Sequence, residues 1–313
     1  MPRSKNMNTE LSVHMRRCIE LAENGREESR PNPMVGAVIV SADGRIIGEG
    51  YHVRCGEGHA EVNAFASVRP EDEGLLGGAT IYVSLEPCAH YGKTPPCAEL
   101  IIRKGVRRVV VGCVDPFGKV QGRGIQMIRE SGIEVTVGVL EEECRWLNRR
   151  FFTFHQKGRP YIILKWAQTE NGFIDDNGKP LAISTVLTRM LSHQMRAQED
   201  GILVGRVTDE REHPGLNVRY WSGRDPVKFV LSHENTIEDI FEECRQRQLQ
   251  SLIVEGGRKT HQSFIERGLW DEIRRETAPI MVDGGTEAPH MPQEARLYSS
   301  ELVDGNRIEW FRR

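Results

Sequence analysis

The sequence predicts two α/β domains in tandem, and three observations support this fold class. The chain has 313 residues, enough for two domains of ordinary size, each with its own core. Segments with the apolar spacing of helices alternate with short apolar segments typical of strands. After the charged and aromatic stretch 141–159, which predicts a connecting helix, the alternation starts again with a strand. We therefore predict a first domain at 1–145 and a second at 146–313.

The first half predicts a sheet covered by helices. Asp43-Gly44 is a strong signal for a hairpin turn between its first two strands. A nearly continuous apolar strand at 107–114 is typical of a strand that is buried on both faces. The predicted helices are 9–24, 59–68, 97–104 and 124–131, and the predicted strands are 35–40, 45–50, 79–84, 107–114 and 133–139.

The second half predicts another α/β unit with its own core. Its tail, from about residue 271, contains further strand-like pieces. The predicted strands are 161–167, 201–205, 226–231 and 251–254, and the predicted helices are 185–198, 237–248 and 260–268.

Composition and charge exclude several classes of protein. The formal net charge is −3, which does not fit a basic protein that coats nucleic acid. The 38% hydrophobic and 28% charged residues are typical of a globular chain. No apolar run approaches the ~20 residues needed to span a membrane, and the first ten residues lack the apolar core of a signal peptide. We expect a cytoplasmic protein without nucleic-acid or membrane partners.

Soft metal ligands are grouped in the first half. His59 is followed by Pro87-Cys88 and then by Cys97, and each is predicted to lie at the start of a helix. One imidazole and two thiolates suit Zn²⁺, and three protein ligands leave a fourth position for water, as in catalytic zinc sites. Glu61 is placed to move protons between that water and a leaving amine, in the pattern of the zinc deaminases.

The remaining cysteines allow an alternative ligand. Cys55, four residues before His59, is the alternative zinc ligand. Its Gly-rich loop instead favours an exposed thiol that binds no metal. A fourth protein ligand would indicate a structural rather than a catalytic zinc. Cys18, Cys113 and Cys144 fall on apolar positions and are predicted to lie in the core.

A glycine pair in the second half is a candidate phosphate site. Gly256 and Gly257 follow a buried strand and precede Arg258, Lys259 and Thr260 at the start of a predicted helix. Free backbone amides, the helix dipole and two cations favour a phosphate there. A simple turn explains the glycines equally well, and the G-x-G-x-x-G fingerprint of dinucleotide-binding folds is absent.

The motifs HAE and PCAHYGKTPPC, preceded by PNPMVGAVIV and GYH, resemble the pyrimidine deaminase domain of the bifunctional deaminase/reductase family of riboflavin biosynthesis. The eight residues between the cysteines, where general deaminases have two, are the more specific feature. The resemblance implies a cytidine-deaminase-like, three-layer α/β domain that deaminates a diaminopyrimidinone ribosylamino 5′-phosphate. It also implies that Asn32 and His52 contact the substrate. Lys93, in the loop between the cysteines, is a candidate for binding its phosphate.

The second half resembles the reductase domain of the same family through LKWAQTENGFI, HQMRAQEDGILVGRVT, HPGLNVR and VEGGRKTHQSFIERGLWDE. That domain is dihydrofolate-reductase-like, uses NADPH, and reduces the ribosyl group to a ribityl group. The chain departs from the family pattern at Ala182 and at Glu212-His213. The resemblance implies a cofactor site at Ala167, Thr208, Glu212, Gly257, Arg258, Lys259, Thr260, His261, Gln262 and Ser263, and a substrate site at Arg196, Leu216, Arg219 and Glu255.

Two other function classes remain open at this point. A nucleoside or tRNA deaminase uses the same zinc site, with a second domain that is not a reductase. A non-catalytic zinc module recruits a fourth ligand. The sequence does not reveal the oligomeric state, and a homo-oligomer is one possibility.

Overall fold

The computed structural model describes residues 3–91, 95–116 and 121–313, and the chain divides between Gln156 and Lys157 into two compact units. The assignment of separate functions to 1–145 and 146–313 stays a prediction. No helix in the described part of the chain combines the length and the apolar character needed to cross a membrane.

A five-stranded sheet forms the centre of the first unit, in the order β2-β1-β3-β4-β5. β1 is antiparallel to β2 and β3, whereas β3, β4 and β5 are parallel. The hairpin between β1 and β2 turns at Gly44, whose φ of +87° is a conformation that glycine adopts without strain. The strands are β1 (Gly36–Val40), β2 (Ile46–Tyr51), β3 (Thr80–Leu85), β4 (Arg108–Cys113) and β5 (Glu134–Val137).

Helices cover both faces of this sheet, which gives three layers. Ile81 and Val109 pack in one apolar cluster with residues of α2, α3 and α4. Their strand neighbours Tyr82 and Val110 point to the other face and pack against α1 and α5. The helices are α1 (Arg3–Glu23), α2 (Ala60–Ala66), α3 (Cys97–Lys104), α4 (Arg123–Glu130), α5 (Glu141–Leu147) and α6 (Arg149–Lys157), with a 3-10 helix at Pro70–Gly78 that the sequence analysis missed.

The second unit contains a seven-stranded sheet in the order β11-β12-β10-β6-β9-β7-β8. The strands from β10 to β8 are parallel, and the terminal hairpin β11–β12 is antiparallel. They are β6 (Tyr161–Thr169), β7 (Gly201–Gly205), β8 (Val227–Leu231), β9 (Ser251–Val254), β10 (Glu272–Ala278), β11 (Arg296–Val303) and β12 (Asn306–Arg312).

Apolar clusters lie on both faces of the second sheet. Ile162 and Leu164 of β6 belong to one cluster, and Tyr161 and Ile163 to the other, as strand alternation requires. The helices are α7 (Val186–Gln198), α8 (Arg206–Glu212), α9 (Ile237–Gln246) and α10 (Arg258–Glu266), of which α8 was not predicted.

The predicted burial of the cysteines is confirmed in detail. Cys18, Cys113 and Cys144 are buried, while Cys55 is exposed. The two candidate sites both lie where parallel strands end, a common position for ligands in α/β sheets. Cys88 follows β3, and Glu255 to Gly257 follow β9.

Candidate active sites

His59, Cys88 and Cys97 come together in the first unit as a possible metal centre. Their ligand atoms all lie within 4.8 Å of one another. His59 Nδ1 is 3.6 Å from Cys88 Sγ and 3.3 Å from Cys97 Sγ. With usual zinc–nitrogen and zinc–sulfur bond lengths, a tetrahedral site separates nitrogen from sulfur by about 3.5 Å. The geometry and the donor set therefore fit Zn²⁺.

Three separate elements position these ligands. His59 is the N-cap residue of α2 and Cys97 is the first residue of α3, as predicted. The prediction of a helix start at Cys88 is wrong, because Cys88 lies in the loop that follows β3. The backbone N–H of Cys97 donates a hydrogen bond to Cys88 Sγ at 3.3 Å. A hydrogen bond from the Cys97 thiol, assisted by His59, lowers the pKa of Cys88 to about 4. The site thus favours a thiolate at Cys88, the form that binds a metal.

Glu61 lies in the first turn of α2 beside this cluster and is only 3% exposed. Burial raises the pKa of Glu61 to about 6, while the nearby imidazole of His59 opposes that rise. The carboxyl group interacts with the Cys97 thiol through a hydrogen bond. A carboxyl group with a pKa near neutrality can both accept and donate a proton, as a general acid–base group must.

Asn32 and His52 also reach this region. The rings of His52 and His59 lie edge to face, with 5.3 Å between their centroids. His52 Nδ1 is 3.1 Å from the carbonyl oxygen of Gly58, and Nε2 is 3.1 Å from Asn32 Nδ2. A neutral imidazole that donates through Nδ1 and accepts through Nε2 satisfies both contacts. His52 therefore fixes the orientation of the Asn32 amide.

Glu86 is a residue of this site that no sequence motif indicates. Its buried carboxylate accepts hydrogen bonds from the backbone N–H groups of Asp115, Gly122, Gly124 and Ile125, at 2.9–3.4 Å. Three of these groups belong to the start of α4. Glu86 therefore ties the segment that carries Cys88 to the loop after β4. The predicted phosphate ligand Lys93 lies outside the described residues.

A buried charge cluster marks the candidate site of the second unit. Arg196 of α7 donates two hydrogen bonds to Glu255, at 3.0 and 2.7 Å, and one to the carbonyl oxygen of Asn217 at 3.2 Å. Lys165 of β6, with its side chain 12% exposed, places Nζ 3.8 Å from Glu255 Oε2. No sequence pattern marks Lys165 as a site residue.

The Gly256-Gly257 turn connects β9 to α10. A Cβ at Gly256 would lie 2.5 Å from the backbone nitrogen of Gly205, so the close approach of β7 requires glycine there. Among the described residues, a Cβ at Gly257 would meet only the Thr208 hydroxyl oxygen, at 3.3 Å. This oxygen accepts a hydrogen bond from the Gly257 N–H at 3.1 Å. Thr208 and Gly257, both predicted cofactor ligands, are thus in direct contact.

Most of the other predicted residues on α10 have structural partners. His261 is buried, and its Nε2 lies 3.1 and 3.0 Å from the carbonyl oxygens of Lys165 and Val254. Arg258 pairs with Glu287 at 2.8 Å, and Ser263 donates to the Thr260 carbonyl at 2.7 Å. Gln262 accepts a hydrogen bond from the His290 N–H at 3.2 Å, whereas Lys259 is exposed.

The last predicted residues differ in exposure. Leu216 is buried and belongs to an apolar cluster. Arg219 is exposed, and its guanidinium lies over the Tyr220 ring and donates to Asn217 Oδ1 at 2.9 Å. Glu212 is exposed at the last position of α8, and Ala167 is half-buried on β6.

Comparisons with known proteins cover both units. Residues 8–113 match the family model of the cytidine and deoxycytidylate deaminase zinc-binding region. Residues 160–240 and 234–304 match the RibD C-terminal domain. The riboflavin biosynthesis protein RibD of Aquifex aeolicus is 35% identical over 317 residues, which cover 87% of this chain and 88% of that protein. The chain belongs to the RibD family of riboflavin biosynthesis proteins.

Solved structures agree with this membership. A Thermotoga maritima structure, described as a diaminohydroxyphosphoribosylaminopyrimidine deaminase/5-amino-6-(5-phosphoribosylamino)uracil reductase, has 34% identity and a TM-score of 0.88, and covers 98% of this chain and 99% of its own. A further sequence relative, the RibD of Bacillus amyloliquefaciens, is 34% identical over 327 residues, which cover 89% of this chain and 86% of that protein.

Family membership confirms the predicted fold class and the general function. The chain is an enzyme of riboflavin biosynthesis with deaminase and reductase activities, carried by a cytidine-deaminase-like domain followed by the RibD C-terminal domain. The family combines zinc in its deaminase domain with NADPH in its reductase domain, so the two predicted cofactors are confirmed at the level of the family.

Proposed function

We propose that this chain hydrolytically deaminates a diaminopyrimidinone ribosylamino 5′-phosphate and then reduces its ribosyl group to a ribityl group with NADPH. The observation that carries the first step is the buried carboxyl group of Glu61 beside His59, Cys88 and Cys97. The likeness to the Thermotoga maritima deaminase/reductase supports this substrate class.

In the deaminase site, His59, Cys88 and Cys97 would hold the metal. A zinc ion there would act as a Lewis acid, which lowers the pKa of water towards neutrality. Glu61 accepts the proton of the attacking water and returns it to the amino group, which leaves as ammonia. Asn32, oriented by His52, holds the pyrimidine edge through its amide oxygen.

In the reductase site, Lys165 is the proposed proton donor. NADPH held in this unit would supply the hydride that C1′ of the ribosyl group receives. As the C1′–O4′ bond breaks, Lys165 gives its proton to O4′, so that the ring opens to a ribityl chain. Glu255 holds the ammonium group of Lys165 in place through the 3.8 Å ion pair.

The phosphates of the two ligands are assigned to separate places. The Gly257 turn and the start of α10 would receive the cofactor phosphates, because backbone N–H groups and the positive end of the helix dipole meet there. Arg219 would bind the substrate phosphate. Arg196 is already neutralised by Glu255, so it is the weaker choice of the two predicted arginines.

Incubation with the diaminopyrimidinone ribotide, with and without NADPH, tests the proposal directly. Mass spectrometry should show exchange of one amino group for oxygen without NADPH, and addition of two hydrogens only when NADPH is present. An unchanged substrate would contradict the assigned deamination. The two thiolate ligands need a reducing compartment, which supports a cytoplasmic location.

The metal assignment predicts one zinc ion per chain. Cys55→Ser should keep that zinc, because Cys55 is an exposed thiol outside the cluster. Cys97→Ser should lose most of it, because a hydroxyl is a poor zinc ligand. Metal analysis of the two purified variants decides the point. Zinc lost from the Cys55 variant but kept in the Cys97 variant would overturn the ligand set.

The phosphate assignments predict opposite kinetic effects of two substitutions. Gly257→Val places a branched side chain beside Thr208 and should raise the KM for NADPH by about tenfold. Its φ of −54° suits any residue, so the fold should persist. Arg219→Ala should instead raise the KM for the deaminated ribotide by a similar factor of about ten and leave that for NADPH unchanged.

Steady-state kinetics of the reductase step, with each substrate varied in turn, measures both effects. Gly256→Ala is the matched control, since it should lower stability through its contact with β7 rather than change the KM for NADPH alone. The two phosphate sites would be wrongly assigned if Gly257→Val raised the KM for the ribotide and Arg219→Ala raised the KM for NADPH.

A further inference from the structure

Arg274 is a buried cation in the second unit that the function proposed above does not use. It lies in the middle of β10, with only 2% of its surface exposed. Both terminal nitrogens of its guanidinium lack a hydrogen-bond partner among the described residues. The nearest acidic oxygen, Glu276 Oε2, is 3.7 Å from Nη1, beyond hydrogen-bond distance.

This arrangement is costly to the fold. A buried guanidinium carries five N–H donors, and each donor without an acceptor loses the free energy of its hydration. An apolar side chain of similar length would avoid that loss. A charged residue at this position therefore calls for an explanation other than packing.

Lys165 is the neighbour that Arg274 is placed to affect. In the parallel pairing of β6 and β10, the two residues stand directly opposite each other and share a sheet face. Neighbouring strands lie ~4.8 Å apart, so the two side chains rise side by side. Both belong to the face that packs against α7, the helix that contributes Arg196.

The charges that face Lys165 come from three elements. Glu255 follows β9 and pairs with Lys165, while Arg196 of α7 occupies both oxygens of that carboxylate. On β10, Glu276 is engaged by Ser184 at 3.0 Å and Asn306 at 2.7 Å, and Arg274 adds a further positive charge. Burial lowers the pKa of Lys165, Glu255 opposes this effect, and Arg274 and Arg196 lower it further.

We propose that Arg274 is a positioning residue of the reductase site, whose fixed positive charge beside Lys165 makes the lysine release its proton more readily to the substrate. The proposal rests on the role of Lys165 as the proton donor in ring opening. The proton moves from Lys165 Nζ to O4′ as the C1′–O4′ bond breaks, and solvent restores it after product release. Arg274 keeps its own proton throughout.

Titration of Lys165 itself tests this inference without reference to activity. The full-length protein is pulse-labelled with an acylating reagent across a pH series, and the acylation of Lys165 is read by peptide mass spectrometry. Only the neutral amine reacts, so the labelling midpoint reports its protonation. In Arg274→Met the midpoint should move upward by about one pH unit, because a neighbouring positive charge has been removed.

Three further variants keep the test interpretable. Arg274→Gln is a second neutral variant in case the Met variant does not fold, and it should show the same upward movement. Arg274→Lys keeps the charge and should restore the midpoint of the unchanged protein. Arg275→Met is the matched control, since Arg275 is the next residue on β10 and pairs with Glu309 at 2.7 Å on the other face.

The outcomes separate this inference from the role of Lys165. An unchanged midpoint in folded Arg274→Met and Arg274→Gln overturns the inference, as does an equal movement in Arg275→Met. With the midpoint moved, the pH profile of reductase kcat decides the second question. A high-pH limb that moves with the midpoint supports Lys165 as the donor, and a limb that stays in place contradicts that role while the effect of Arg274 on Lys165 stands.

Discussion

Glu61→Gln is expected to abolish deamination and leave zinc content unchanged. The amide has nearly the shape of the carboxyl group but cannot carry a proton between water and the leaving amine. Since Glu61 serves two proton transfers, kcat should fall by more than the ~10⁴-fold at the upper end for one general acid–base group. Ammonia release from the ribotide measures this loss.

Two controls accompany that variant. Reduction of an already deaminated substrate should proceed at the normal rate, because Lys165 and Glu255 lie in the other unit. Glu71→Gln, at an exposed position of the 3-10 helix, should deaminate normally. Near-normal deamination by the Glu61 variant would eliminate the proposed proton transfer.

Glu255→Gln is expected to destabilise the second unit by about 3 kcal/mol at neutral pH, because it leaves Arg196 and Lys165 buried without their shared anion. Although burial opposes ionisation, Lys165 and Arg196 hold the pKa of Glu255 at about 2, against an ordinary value of 4.5. Urea unfolding, followed by a signal from the second unit, measures the difference.

The pH dependence of that difference has a definite sign. A carboxyl group with a lowered pKa in the folded state contributes its full stability above the unfolded pKa of about 4.5 and loses it as pH falls towards 2. The difference in the free energy of unfolding between the unchanged protein and Glu255→Gln should therefore become smaller as pH falls from about 4.5 towards 2. Glu242→Gln, which breaks an exposed pair with Arg245, should lower the free energy of unfolding far less than Glu255→Gln, because solvent screens that pair. If both variants lost the same free energy of unfolding, burial would not be what makes the ion pairs of Glu255 important.

The zinc cluster was the most predictable part of the molecule. His59 and Glu61 lie two residues apart, and Cys88 and Cys97 are separated by one loop, so local spacing reveals them. The two helix starts at His59 and Cys97 were also readable, because apolar periodicity resumes there. Most strands were found for the same reason, since β1, β3 and β4 are almost wholly buried apolar runs.

The reductase site was less readable because its contacts join distant segments. Lys165 is a single lysine within a strand, and no spacing marks it. Arg196 and Glu255, 59 residues apart, were both predicted to line the substrate site, but their pairing with each other exists only in the fold. Glu86 was missed for a similar reason, since backbone N–H groups carry no sequence signal. The short helix α8 has no buried residue, so it left no apolar pattern to detect.

The carboxylate of Glu86 has a consequence for how the first unit opens. Four amide hydrogens, those of Asp115, Gly122, Gly124 and Ile125, share one acceptor group. They should exchange with deuterated solvent as a single cooperative set, at a rate set by separation of the β3 and β4 loops. Their common exchange rate thus measures, without substrate or metal, how often the loop that carries Cys88 parts from its neighbour.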